Sequence, residues 1–91
     1  MTFPRIHLNG SSPESLLDGL LTVRSALTNA LDALAENAPN ARDYYPLGAL
    51  AFQAAAVEHA DRLARLTSVQ REITALADHV MNEITTREKR K

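Results

Sequence analysis

Two long segments of the chain carry apolar residues spaced alternately three and four positions apart. In the first segment these positions are Leu16, Leu20, Val23, Leu27, Ala30 and Leu34. In the second they are Ala56, His59, Leu63, Leu66, Gln70, Ile73, Ala77, Val80 and Ile84, with two polar exceptions. This spacing is typical of helices that pack lengthwise on another helix. We therefore predict an all-α fold, an antiparallel helical hairpin whose second helix is the longer.

Prolines and capping residues set the predicted bounds of the two helices. Ser12 is a favoured N-cap, and Pro13 suits the first helical position, where its missing N–H is not needed. Pro39 disfavours helical geometry in the residue before it. We predict one domain over residues 1–91, composed of an extended lead-in (1–12), a helix (13–38), a connection (39–46), a longer helix (46–86) and a solvated basic tail (87–91).

The two predicted helices differ in length, and this difference predicts self-association. At 1.5 Å per residue, the first helix is roughly 39 Å long and the second roughly 60 Å. A short connection would then let the first helix cover the second only to about residue 73. An apolar row would remain exposed, consisting of Ile73, Leu76, Ala77, Val80, Met81 and Ile84. We predict that a second copy covers this row, in a homodimer or higher even oligomer that forms a helical bundle.

Composition excludes several classes of function. The net charge of −1 argues against a nucleic-acid-binding protein, which usually carries a basic excess. The chain contains no cysteine, no glycine-rich phosphate loop and no His-Glu-x-x-His pair. Glu58, His59 and Asp61 cannot converge on one ion from neighbouring helical positions, which point in different directions. We therefore predict no enzyme, no metal site and no cofactor. With no membrane-length apolar run and no secretion signal, we expect a cytoplasmic protein.

Three polar residues of the second helix have structural interpretations. His59 lies on the apolar seam, where we expect it to be partly buried and hydrogen-bonded. Gln70, also on the seam, is expected to fix the register or the oligomeric state. His79 is expected on a solvated flank of the helix.

The connection is the first candidate for recognition chemistry. Arg42, Tyr44 and Tyr45 follow one another closely between two prolines. A tyrosine ring offers a flat apolar face, and a guanidinium group offers a planar set of donors. Together they would hold a small anionic ligand or a partner protein. The alternative is structural: the tyrosines plug the open end of the hairpin, and Asp43 caps the second helix.

The lead-in is the second candidate. Its alternation would place Arg5, His7 and Asn9 on one side of an extended strand, with Ile6 and Leu8 packed inward. The lead-in precedes the first helix and the connection follows it, so the two candidates are separated by roughly 39 Å within one hairpin. They would meet only if the lead-in runs along the helices or across an oligomer interface.

Two short motifs resemble those of a group of short helical proteins of bacteriophages and prophages. The motifs are the run from His7 to Gly10, followed by two serines, and the run from Asn40 to Pro46. The resemblance covers nearly the whole chain and implies a phage accessory protein, with no assigned activity or site. Small phage proteins of this kind often block host defences. We therefore expect a non-enzymatic anti-defence protein that sequesters a nucleotide-like ligand or binds a host protein. The alternative is a structural or assembly protein that acts through its own helix–helix interface.

Overall fold

The computed structural model describes residues 1–89, and every regular element in that range is helical. Helix α1 comprises Pro13–Glu36, the short helix α2 comprises Ala41–Tyr44, and a 3₁₀ turn comprises Tyr45–Leu47. Helix α3, the longest element, comprises Ala49–Lys89. The all-α prediction is confirmed, and α1 packs against α3. Residues 90 and 91 of the predicted basic tail lie outside the described range.

Helix α1 begins where its capping residues predict. The Ser12 hydroxyl oxygen accepts a hydrogen bond from the Ser15 backbone N–H at 3.1 Å, which satisfies a donor that the helix cannot use internally. The helix ends at Glu36, two residues before the predicted end. Asn37 closes it, because its side-chain amide donates to the Ala33 carbonyl oxygen at 2.7 Å.

The connection is more structured than the two prolines suggest. Asn40 caps α2 by accepting a hydrogen bond from the Arg42 backbone N–H at 3.0 Å. Pro46 does not begin the second helix but lies in the 3₁₀ turn, and α3 starts only after Gly48. Gly48 has a φ of 101° and a ψ of 162°, a conformation open almost only to glycine. This residue lets the chain turn from the 3₁₀ segment into α3.

Replacing Gly48 by alanine should therefore lower the free energy of unfolding by roughly 1–3 kcal/mol, the cost of holding a side chain in that region. Gly19 is the matched control, because it lies inside α1 and a Cβ there would meet no atom within 4 Å. Gly19→Ala should stabilise by up to about 1 kcal/mol through helix propensity. Urea denaturation of both variants measures the two changes in the free energy of unfolding. An unchanged free energy of unfolding for Gly48→Ala would contradict the positive φ of Gly48.

One hydrogen bond between α1 and α3 shows the register of the two helices, that is, which residues lie opposite each other. The Gln70 side-chain amide donates to the Thr28 hydroxyl oxygen at 2.7 Å. The hollow that Leu34 and Leu66 line together, and another shared by Pro13 and Ile84, show that the helices run antiparallel. Counting from the Thr28–Gln70 pair, α1 lies opposite residues from about 62 to about 85 of α3. Gln70 thus links the two helices within one chain; that it fixes their register stays a prediction.

This register contradicts the prediction that the row from Ile73 to Ile84 faces water. Ala77 and Val80 are the most deeply buried members, with exposures of 2% and 0%. Ile73, Leu76 and Ile84 are half-buried, and only Met81 is exposed. The cause is the connection, which folds into α2 and the 3₁₀ turn rather than closing directly. Because α1 itself covers the row, the length mismatch gives no reason to expect a second copy there.

The uncovered part of α3 is its first three turns instead. Residues 49–61 extend beyond the end of α1 and are flanked by the connection alone. The molecule is accordingly a rod of 67 × 21 × 20 Å, with a radius of gyration of 19.5 Å. A compact chain of this length would have a radius of gyration of about 12 Å. None of the helices in residues 1–89 combines the length and apolarity that a membrane crossing requires.

Candidate functional sites

The connection presents its aromatic and basic side chains unequally. Tyr44 is half-buried, which fits the structural alternative for that ring. Tyr45 is 78% exposed, and Arg42 is also exposed. Arg42 and Tyr44 lie in the single turn of α2, and Tyr45 lies in the 3₁₀ turn that follows it. The two tyrosines therefore differ: only Tyr45 offers its ring to another molecule.

Further apolar side chains are exposed among residues 46–57, which follow Tyr45 in the chain. Leu47, Leu50 and Val57 each have at least 70% of their surface exposed. Leu50 and Val57 are seven residues apart, so they lie two turns apart on one face of α3. Ala55 and His59 lie on the opposite face and are buried. We call Arg42, Tyr45, Leu47, Leu50 and Val57 the apolar end.

His59 lies on the seam, as predicted, but without the expected hydrogen bond. Its side chain is only 7% exposed, and within the described part of the chain its Nε2 atom has no hydrogen-bond partner. The register places α1 short of residue 59, so the connection is the segment that buries this histidine. Exposed ion pairs lie near it along α3, Glu58 with Arg62 at 3.9 Å and Asp61 with Arg65 at 2.9 Å.

The lead-in is held against the C-terminal half of α3 by His79 and Glu83. The Ile6 backbone N–H donates to Glu83 Oε2 at 3.0 Å. His79 Nε2 lies 2.8 Å from the Pro4 carbonyl oxygen and 3.2 Å from Glu83 Oε1. Because both of these atoms are acceptors, Nε2 carries the hydrogen. The Phe3 ring packs on the imidazole with centroids 4.9 Å apart. His79 is therefore half-buried, and its prediction as a solvated residue is wrong.

The side chains of the lead-in only partly follow the predicted alternation. Arg5, His7 and Asn9 are exposed and Ile6 is half-buried, as expected, but Leu8 is 99% exposed instead of packed. The reason is a turn, closed by a hydrogen bond from the Gly10 N–H to the His7 carbonyl oxygen at 3.2 Å. The His7 ring folds over Gly10, where a Cβ would lie 2.8 Å from its Nε2 atom. The lead-in is thus a docked, turned segment and not a strand.

Hollows surround Arg87 where the lead-in meets the two long helices. The first, of about 400 Å³, is lined by polar side chains, namely Arg5, His79, Asn82, Glu83, Thr86 and Arg87. The second, of about 410 Å³, is lined by His7, Ser11, Ser12 and again Arg87. Ile6 borders both. A smaller hollow of about 210 Å³ places Arg87 beside Glu14 and Glu88.

The structure separates the two halves of the predicted ligand-binding set. Arg42, Tyr44 and Tyr45 precede the start of α3, whereas Arg5, His7 and Asn9 belong to the segment docked near residue 79. Thirty helical residues separate these points, roughly 45 Å. The two groups therefore do not form one site within a single chain.

The residues that complete the lead-in site were not found from the sequence. His79 and Glu83 are four positions apart, a spacing that puts both on one helix face and is a usable signal. Their partners, however, are backbone atoms of residues 4 and 6, which leave no trace in residue identity. Arg87, predicted to be part of a solvated tail, lies on the same helix and lines the hollows.

Geometry gives no sign of a metal centre in the described range. No three His, Cys, Asp or Glu side chains among residues 1–89 converge to hold a metal ion. Comparisons add no family: no protein-family model, curated protein or solved structure matches the chain.

Proposed function

We propose that this chain is a non-enzymatic binding protein that engages a partner protein through its apolar end. The observation that carries the proposal is the exposure of four large apolar side chains, Tyr45, Leu47, Leu50 and Val57, at one end of a thin rod. Clustered exposed apolar residues mark interaction surfaces more often than isolated ones do. Arginine, like tyrosine, is enriched among the interface residues that contribute most of the binding energy, and the apolar end includes Arg42 as well as Tyr45.

The shape of this end favours a protein over a small molecule. Sites for small molecules are concave and enclose most of the ligand. At the apolar end the side chains instead project outward, from a 3₁₀ turn and from the outer face of α3. A projecting tyrosine suits insertion into a recess of another protein, where its ring is buried and its hydroxyl finds a partner.

The resemblance to bacteriophage proteins suggests the class of partner. We propose a host protein, and within that class a component of a defence system that the binding would block. A cytoplasmic location belongs to the same proposal, because that is where such a partner would be met.

A second candidate function is assembly with copies of the same chain. The observation in its favour is again the apolar end, because the two-helix core is thin and small domains often gain stability by association. Two copies docked there would form the helical bundle of paired hairpins that the sequence predicts, but through residues 45–57 rather than 73–84.

The test compares matched exposed residues at the two ends. Tyr45→Ala and Leu47→Ala should leave the melting temperature unchanged and abolish capture of a bacterial host protein by the tagged chain. Leu8→Ala is the control, since Leu8 is even more exposed than Tyr45 and Leu47 but lies in the lead-in. Tyr44→Ala should lower the melting temperature, because that ring is half-buried. The affinity of each recovered partner for the purified chain is then measured by calorimetry.

Three outcomes separate the candidates. Capture lost with Tyr45→Ala and kept with Leu8→Ala supports a binding protein. If light scattering shows a wild-type dimer that Leu47→Ala converts to monomer, assembly is the function. If Tyr45→Ala lowers the melting temperature sharply and leaves both capture and mass unchanged, the tyrosine is structural and the proposal fails.

A further inference from the structure

The hollows around Arg87 lie at the opposite end of the molecule from the apolar end, and they differ from it in chemistry. The apolar end projects outward, whereas the first two hollows are half-open grooves lined by guanidinium, imidazole, carboxylate, amide and hydroxyl groups. Each is close to 400 Å³, within the range of roughly 300–1,000 Å³ in which proteins bind small molecules.

The lead-in builds one wall of the first hollow, and its position is set by hydrogen bonds. The Ile6 N–H donates a hydrogen bond to Glu83, and the Pro4 carbonyl oxygen bonds to the His79 ring. The backbone is therefore held on both sides of the residue between Pro4 and Ile6. That residue is Arg5, which lines the hollow together with Arg87 of α3. Two guanidinium groups from separate segments thus border one recess.

The charge balance of the hollows favours an anion. Among the described residues, the one carboxylate of the first hollow is Glu83; its Oε2 accepts a hydrogen bond from the Ile6 N–H, and its Oε1 lies 3.2 Å from His79 Nε2. No acidic residue of the described range 1–89 lines the second hollow, which Arg87 shares. The third hollow differs, because Glu14 and Glu88 lie there and would repel an anion. Arg5 and Arg87 are therefore the guanidinium groups available to a negatively charged ligand in the first hollow.

We propose that this groove binds a small phosphorylated molecule, with its phosphate held by Arg5 and Arg87. Guanidinium groups match the geometry of phosphate oxygens and form charge-assisted hydrogen bonds to them. The second hollow, across Ile6, receives the uncharged remainder of the molecule beside the His7 ring. This site is independent of the protein partner proposed for the apolar end.

Calorimetry with inorganic phosphate, adenosine monophosphate and adenosine tests the proposal on the full chain. Adenosine monophosphate should bind more tightly than inorganic phosphate, because it also fills the second hollow, and adenosine should not bind measurably. Arg87→Gln and Arg5→Gln should each weaken binding about tenfold or more, as expected for losing a hydrogen bond to a charged group. Added salt should weaken binding through screening.

Two further arginines serve as controls. Arg71→Gln removes an exposed guanidinium from α3 outside these hollows, and Arg42→Gln removes one from the apolar end. Both should leave the affinity unchanged, and all four variants should keep the wild-type melting temperature in the absence of ligand. In NMR spectra, the side-chain Nε–H resonances of Arg5 and Arg87 should shift on addition of phosphate.

The proposal is overturned if neither phosphate compound binds at millimolar concentration, or if adenosine binds as well as its monophosphate. It is equally overturned if Arg87→Gln and Arg5→Gln bind like the wild type, or if the Arg42 variant alone loses binding. A failure of any of these kinds would not affect the function proposed for the apolar end, because the capture experiment depends on different residues.

Discussion

Replacing Val80 by aspartate should unfold the chain or leave it barely folded. Val80 has no exposed surface and lies where α1 covers α3. Burying an unpaired carboxylate costs several kcal/mol, a large fraction of the 5–15 kcal/mol that typically holds a domain together. Circular dichroism should show loss of helix at 25 °C, or a melting transition far below that of the wild type.

Val57→Asp is the matched control for this substitution. It makes the same change in the same helix, but Val57 is 70% exposed on the outer face. Surface substitutions of this kind usually stay within about 0.5 kcal/mol. Equal melting temperatures for the two variants would mean that α1 does not cover Val80. In the register predicted from helix lengths, Val80 faces water, so the pair of variants also decides between the registers.

The local signals in the sequence were sufficient for the helices themselves. The three–four spacing of apolar residues predicted both long helices, and Ser12 with Pro13 predicted where α1 begins. These features act within a few residues of one another, so the information needed is contained in the local sequence. The end of α1 differs by only two residues, because Asn37 rather than Pro39 terminates it.

The register of α1 on α3 could not be predicted in the same way. A three–four pattern repeats every seven residues, so sliding one helix by two repeats again places apolar residues against apolar residues. The observed register differs from the predicted one by about 12 residues, or roughly 18 Å. Two non-local features accompany the observed register: the Gln70–Thr28 hydrogen bond and the length of α3 taken up by the folded connection.

The candidate sites show the same division. Arg42, Tyr45 and the polar lead-in residues are unusual by composition and position, so the sequence could single them out. The length of the first helix also predicted that the two groups lie far apart within one chain. Their environment depends on the register, and so the sequence could not predict which residues of α3 surround them. The two larger hollows around Arg87 form where the lead-in docks on His79 and Glu83, a contact made largely through backbone atoms of the lead-in.

A double-mutant cycle at Leu34 and Leu66 should measure the register directly. The two side chains line one hollow and are half-buried, so each replacement by alanine should cost about 2 kcal/mol, the low end for leucine. When two residues are in contact, the effects of their substitutions on the free energy of unfolding depart from additivity by roughly 0.5–3 kcal/mol. The effects of substituting distant residues add within about 0.5 kcal/mol.

The matched cycle pairs Leu34 with Phe52, which the predicted register would place in contact. In the structure Phe52 lies about 12 residues along α3 from the position opposite Leu34, roughly 18 Å away. Urea denaturation of the wild type and the five variants should therefore show coupling for Leu34 with Leu66 and additivity for Leu34 with Phe52. The reverse pattern would restore the uncovered row at Ile73–Ile84. It would also move the exposed apolar surface, and the partner that we propose for it, to the other end of the molecule.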